Sequence, residues 1–209
     1  MDMKETLIKC MKTLAVKRPV FHSEADFQFC LAFELKNTLG DDAKIYCEYP
    51  VASLKLEAEK RRPHLDILIS VGGKKIPIEL KYRPKASTIE YDNEVFELKP
   101  QGDNTWSRYD FLKDVLRIEN YKNDDASHCE EGYAIFLTDN MIFKEDKPSK
   151  HKLSLANKIE GEYYRTYINE KKQLLEIKGI YTPNWHDYRD ITDTKEKEHT
   201  FKYLMVEVK

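Results

Sequence analysis

The 209-residue sequence predicts an α/β fold, a mixed β-sheet core flanked by helices. Three observations carry that prediction. Apolar residues recur at helical spacing in 3–16 and 105–121, and a capped segment between them predicts a further helix to about residue 39. Short apolar or alternating runs at 45–52, 64–82 and 132–138 read as strands. The order helix, strand, hairpin, helix, strand, followed by a strand-rich extension, is the layout of helices packed around a mixed sheet.

Each element has its own signal. Leu7, Cys10, Met11 and Leu14 form the stripe of the first helix, which Lys17-Arg18-Pro19 ends. Ser23-Glu24-Ala25-Asp26 resembles a capping box for the second, and Gly40 supplies its stop. IYCEYPVA, residues 45–52, reads as a strand, and 53–63 as a polar, basic connection. Residues 86–104 have no clear period and are expected to be loop or short extended pieces. Trp106, Tyr109, Leu112 and Leu116 make the stripe of a long helix over 105–121. GYAIFLT, 132–138, reads as a buried strand, and the lysine-rich stretch 144–161 as an exposed connection. Strands are expected at about 162–168, 173–181 and 200–208. The aromatic run TPNWHDYRD, 182–190, reads as a packed surface loop, with base stacking as the alternative.

The length fits one domain over 1–209, or one domain with an elaborated end. Cys10, Cys30, Cys47 and Cys129 are too scattered for a zinc site and suit a reducing cytoplasm, the expected location. No secretory leader and no bilayer-spanning run is read, so no membrane partner is expected. Charged residues make up 34% of the chain with a net charge of −2, which argues against a surface that coats nucleic acid throughout. Charge is uneven, however. Lys60, Arg61, Arg62, Lys74, Lys75, Lys81, Arg83 and Lys85 face only Asp66 and Glu79 within 60–85, a local balance of eight minus two, or +6.

The chemistry concentrates in HLDILISVGGKKIPIELK, residues 64–81. Gly72-Gly73 is a two-residue hairpin turn. Folding about it sets Val71 against Lys74, Ile69 against Ile76 and Ile67 against Ile78. Asp66 then falls opposite Glu79, and His64 opposite Lys81. Leu65, Ile67, Ile69, Val71, Ile76, Ile78, Leu80 and Tyr82 make one apolar face, and His64, Asp66, Glu79 and Lys81 gather on the other. Pro77 cannot donate a ladder bond, so a bulge or an unpaired position is expected there. Two facing carboxylates repel unless one is protonated or a divalent cation lies between them. A lysine beside them can orient or help deprotonate an attacking water. The bland alternative is a cross-strand ion cluster on an exposed sheet face.

Asp66, twelve intervening residues and then Glu79-Leu80-Lys81 resemble the signature of the PD-(D/E)XK nuclease superfamily, the restriction-endonuclease-like fold. A preceding helix starting at Ser23-Glu24, and a following helix with Arg108, Lys113 and Arg117 before an apolar strand, match its αβββαβ core. The resemblance covers about 22–138 as a nuclease-like core and leaves 139–209 as a C-terminal extension. Leu65 stands where the superfamily's name has proline. The resemblance implies hydrolysis of phosphodiester bonds with Mg²⁺ or Mn²⁺. Asp66 and Glu79 would bind metal, with the Leu80 carbonyl as a further ligand. Lys81 would position the water, and Glu24 would be an outer acid.

Arg108, with no evident partner, is the preferred phosphate contact, joined by Arg83, Lys85 and His64. Lys113 and Arg117 read instead as solvated i,i+3 partners of Asp110 and Asp114. Gln101 precedes the helix and carries little weight. DNA is the expected partner, in restriction or another defence process, and a homodimer is what a two-site double-strand cut would need. The alternatives are a nucleic-acid-binding module without catalysis and a protein-interaction subunit on the same fold.

Overall fold

The computed structural model of this protein describes residues 2–51, 63–99, 103–124, 127–145, 153–166 and 172–209. Lys60, Arg61, Arg62, Gln101 and most of the 53–63 connection lie outside the described residues. The chain opens with α1 (Met3–Lys17) and α2 (Glu24–Leu39). Ser23 caps α2 by accepting from the Asp26 N–H, and Gly40 ends it at φ +77°. Then follow β1 (Lys44–Pro50), β2 (His64–Val71), β3 (Lys74–Tyr82), the short hairpin β4 (Ser87–Tyr91) and β5 (Glu94–Leu98), α3 (Asn104–Lys122) and β6 (Gly132–Thr138). The remainder is β7 (Ile159–Thr166), β8 (Lys172–Tyr181), β9 (Asn184–Thr192) and β10 (Glu198–Val208).

Among the described residues, six strands form one mixed sheet in the order β1-β2-β3-β6-β10-β9. β3 and β6 run parallel, and the other neighbours are antiparallel. The C-terminal strands β9 and β10 therefore continue the sheet that begins near the N-terminus. Residues 184–190 of the expected loop 182–190 are strand: β9 pairs with β10, Trp185 Nε1 donates to the Leu155 carbonyl, and the His186 ring stacks on Tyr203. The expected exposed connection over 144–161 is also corrected for its described end, since Leu153, Leu155 and Ile159 are buried.

Strand alternation gives the sheet two apolar faces. Ile76, Ile78, Leu80 and Tyr82 of β3, with Tyr133, Ile135 and Leu137 of β6, pack against α1 and α2. Ala134 and Phe136 of β6 and Leu204, Val206 and Val208 of β10 pack against α3 and the β7–β8 ribbon. Alternation sends Glu79 and Lys81 to this second, α3-covered face. Leu65 leaves the predicted row and joins Val51, Leu68 and Tyr121 in a separate cluster.

The hairpin register holds from Val71↔Lys74 to Ile67↔Ile78 about a turn with φ of +59° and +78° at Gly72 and Gly73. The ladder ends there, so Asp66 is not paired with Glu79, nor His64 with Lys81. His64 pairs with Pro50 of β1 instead. No bulge forms at Pro77, which faces Leu68 in register. The Lys75 N–H bonds the His128 carbonyl, and the parallel ladder with β6 starts only at Ile78↔Tyr133. The missing Pro77 donor thus falls on the β6 side, before that ladder begins.

Gly132, the first residue of β6, makes this close approach feasible. A Cβ there would meet Ile118 Cγ2 and, at 2.7 Å, Pro77 Cγ. Gly132→Ala is expected to destabilise the protein by about 1–3 kcal/mol through overpacking, measured by chemical denaturation. An unchanged unfolding midpoint would show that the α3–β3–β6 junction is looser than described.

Candidate active site

Beyond Ile67–Ile78, β2 and β3 part, and β3 continues along β6 alone. The N–H groups of Leu80 and Tyr82 are thereby left without a strand partner on the β2 side. Side-chain carboxylates take both. Asp66 Oδ2 accepts from the Leu80 N–H at 2.6 Å, and Glu24 Oε2 accepts from the Tyr82 N–H at 2.9 Å. Glu24 is the first residue of α2, so the capped helix start delivers its carboxylate to the gap. Gln28, one turn on and 5% exposed, donates through Nε2 to the Asp66 carbonyl at 2.5 Å and to Glu48 Oε1 at 2.9 Å. Glu48 interrupts the β1–β2 register opposite Asp66 and has φ +51°, an uncommon conformation for a non-glycine residue.

The α3 side closes the gap with a chain of alternating charges. Glu79 is 1% exposed, and its Oε1 accepts from Arg117 Nη1 at 2.9 Å. The same nitrogen lies 3.3 Å from Asp114 Oδ1. Asp114 Oδ2 is 2.9 Å from Lys81 Nζ, which lies 3.5 Å from Glu24 Oε1. Arg83 Nη1 bonds Glu24 Oε2 at 2.8 Å. Glu79 and Asp114 are buried and Glu24, Asp66, Lys81, Arg83 and Arg117 half-buried, so the cluster is not an ion cluster on an exposed sheet face. Glu79 Oε2 is buried with no hydrogen-bond partner among the described residues.

Burial governs the electrostatics. It pushes the Asp66 carboxyl up to about 6, against the opposing pull of Lys81 and with added repulsion from Asp114. It raises Glu79 well above the usual carboxylate range, helped by Asp66 and resisted by Arg117. For Lys81, burial favours the neutral amine, but Asp114, Glu24, Asp66 and Glu79 together outweigh it and raise the pKa. Lys81 is thus an ammonium at neutral pH. It can donate to a water or a phosphate oxygen, and it is not a general base in this state.

The other expected residues are placed as follows. Arg83 joins the cluster through Glu24. The Lys85 side chain is exposed, while its N–H donates to Asp139 Oδ1 at 2.6 Å. His64 is exposed at the start of β2. Arg108 is corrected: it is 5% exposed, donates to the Ile142 carbonyl at 2.5 Å and lies over the Phe143 ring. A guanidinium so enclosed anchors α3 to the Ile142–Phe143 turn. Arg117 is corrected in the other direction, from a solvated helix partner to a member of the cluster. Asp110 pairs with Arg165 of β7.

Sequence reasoning missed Gln28, Asp114 and Arg117 as members of this site. A signal existed for Asp114, which has Phe111 three residues before it and Ile118 four after, so its row on α3 is apolar on both sides. Gln28 is one turn from Glu24, on the same helix face.

The donor set fits a small, hard divalent cation. Asp66 and Glu79 offer carboxylate oxygens, one of them unpartnered. Among the described residues, no group of three or more His, Cys, Asp or Glu side chains is placed to hold a metal alone. Mg²⁺, bound by one or two carboxylates with water and phosphate completing its shell, does not require one. The Leu80 carbonyl, expected as a further ligand, accepts from Lys81 Nζ at 3.1 Å.

Comparison with protein families, with characterised proteins and with solved structures gave no match. Among the described residues, no helix is long and apolar enough to cross a membrane.

Because the folded-state pKa of Asp66 is raised from 3.8 to about 6, its contribution to stability is full below 3.8 and is lost as pH rises through about 6. Asp66→Asn keeps an acceptor for the Leu80 N–H and removes this titration. In chelator, its stability relative to wild type is expected to grow by about 1–2 kcal/mol between about pH 5 and about pH 8. Parallel denaturation profiles for the two proteins would show that Asp66 is not desolvated.

Proposed function

We propose that this chain is a Mg²⁺- or Mn²⁺-dependent nuclease that hydrolyses phosphodiester bonds in DNA, on a restriction-endonuclease-like fold. The carrying observation is the meeting of Asp66, Glu79 and Lys81 where β2 and β3 part, with one Glu79 oxygen buried and unpartnered. The order α2-β1-β2-β3-α3-β6 around a mixed sheet, with the separate β4–β5 hairpin inserted before α3, supports the PD-(D/E)XK reading.

Asp66 and Glu79 would hold the cation, which when bound lowers the pKa of a water and offsets charge developing on the phosphate. Asp66 is fixed for this by the Leu80 N–H, and its carbonyl by Gln28. Lys81, held as an ammonium by its carboxylate neighbours, donates to the attacking water or to a non-bridging phosphate oxygen and so orients the attack. Glu24 steadies Lys81 and Arg83 from the α2 side. Arg83 and the exposed Lys85 supply positive charge for the flanking backbone, with the exposed His64 ring at the margin.

A second reading is a module that binds nucleic acid without cutting it. It is favoured by the tight pairing of Lys81 with Asp114, which a purely structural network would also show.

The two readings separate in one assay. Purified protein is incubated with Mg²⁺ or Mn²⁺ and a panel of single- and double-stranded DNA and RNA. The nuclease reading expects cleavage that Asp66→Ala and Lys81→Ala each reduce at least about 100-fold while thermal melting stays cooperative. Salt-dependent binding with no cleavage by wild type would support the module instead.

A further inference from the structure

Arg117 occupies a telling position. Its Nη1 lies 2.9 Å from Glu79 Oε1 and 3.3 Å from Asp114 Oδ1, so one guanidinium is shared by two buried carboxyl groups. Burial of Glu79, at 1% exposure, disfavours its charged form, and the Arg117 guanidinium beside it opposes that penalty. Arginine keeps its proton under all working conditions, so it can give up that place only by moving. A divalent cation at the free Glu79 Oε2 would stand beside the guanidinium on the same carboxylate, and the two like charges would repel.

We propose that Arg117 is the resident counter-ion of Glu79 and that a divalent cation displaces it, turning the guanidinium toward the phosphodiester. The proposal rests on the nuclease reading of the same site. Asp114, three residues earlier on α3, retains Arg117 at the edge of the gap when Glu79 is given up. The planar guanidinium suits two oxygens of a phosphate better than the compact ammonium of Lys81 does. Asp114 also pairs with Lys81, so this one carboxylate holds both cations at the edge of the gap once Glu79 is given up to the metal. Metal arrival and preparation of the two phosphate-facing cations thereby become one event.

The test uses the full chain with Mn²⁺ alone as the probe, titrated calorimetrically into wild type, Arg117→Gln and Asp66→Ala. The proposal expects Arg117→Gln to bind Mn²⁺ about tenfold more tightly than wild type, because a competing positive charge is gone. The same variant should melt at lower temperature than wild type in chelator and gain more from added Mn²⁺. Equal or weaker binding by Arg117→Gln, with wild-type binding that Asp66→Ala abolishes, overturns this proposal and leaves the nuclease reading standing. Wild-type binding that is absent, or unaffected by Asp66→Ala, overturns both. Should Arg117→Gln fail to fold, wild type alone decides. The NMR signal of the Arg117 guanidinium Nε–H should shift along the Mg²⁺ binding isotherm, and a signal that stays still through saturation overturns the proposal.

Discussion

The centre of this protein depends on the parting of β2 from β3 beyond Ile67–Ile78. Backbone N–H groups inside a folded chain must find acceptors, and the departing strand leaves those of Leu80 and Tyr82 without carbonyls. Asp66 and Glu24 replace the missing carbonyls with carboxylates. A sheet defect is thus sealed with negative charge. That charge fixes what must come next, because buried carboxylates require cations. Lys81 rises from β3, Arg117 from α3 and Arg83 from the end of β3, and the flanking helices are held to the gap by those same contacts.

Such a network is a poor way to gain stability. Desolvation of several charges offsets most of their mutual attraction, and apolar residues of similar volume would serve the fold as well or better. The surroundings make the contrast plain. Ile78, Leu80 and Tyr82 fill the α1–α2 face of β3 without a polar atom out of place, apart from the Tyr82 hydroxyl, which accepts from the Phe21 N–H. The adjacent face, equally covered by a helix, carries Glu79 and Lys81. Polar residues that break the local packing rule are what a functional site leaves in an otherwise consistent fold.

Much of this was legible in the sequence, and the exceptions have physical causes. The helix caps at Ser23 and Gly40, the Gly72-Gly73 turn and the near-turn register are set by local chemistry, so they were read correctly. The pairing of Asp66 with Glu79 was extrapolated from that register and failed, because a ladder can end wherever a strand gains a better neighbour. Here β6 supplies it, and it lies over 50 residues further along the chain. Asp114 and Arg117 were read as a surface pair because i,i+3 spacing on a helix looks the same whether the face meets water or a sheet. Arg108 was preferred as a phosphate contact because no charged partner was visible in sequence, yet its partner is the backbone carbonyl of Ile142. Residues 182–190 looked like a loop for their proline and polar content, while their strand character comes from β10, a non-local partner.

On the proposed nuclease reading, the charges in the gap serve a metal ion. Diffraction from crystals soaked in Mn²⁺, recorded at a wavelength where manganese scatters anomalously, tests it most directly. An anomalous peak is expected about 2.0–2.3 Å from carboxylate oxygens of both Asp66 and Glu79. An anomalous map with no peak in the gap at saturating Mn²⁺, and with Arg117 still bonded to Glu79, would contradict it and leave the cluster as a buried ion-pair network.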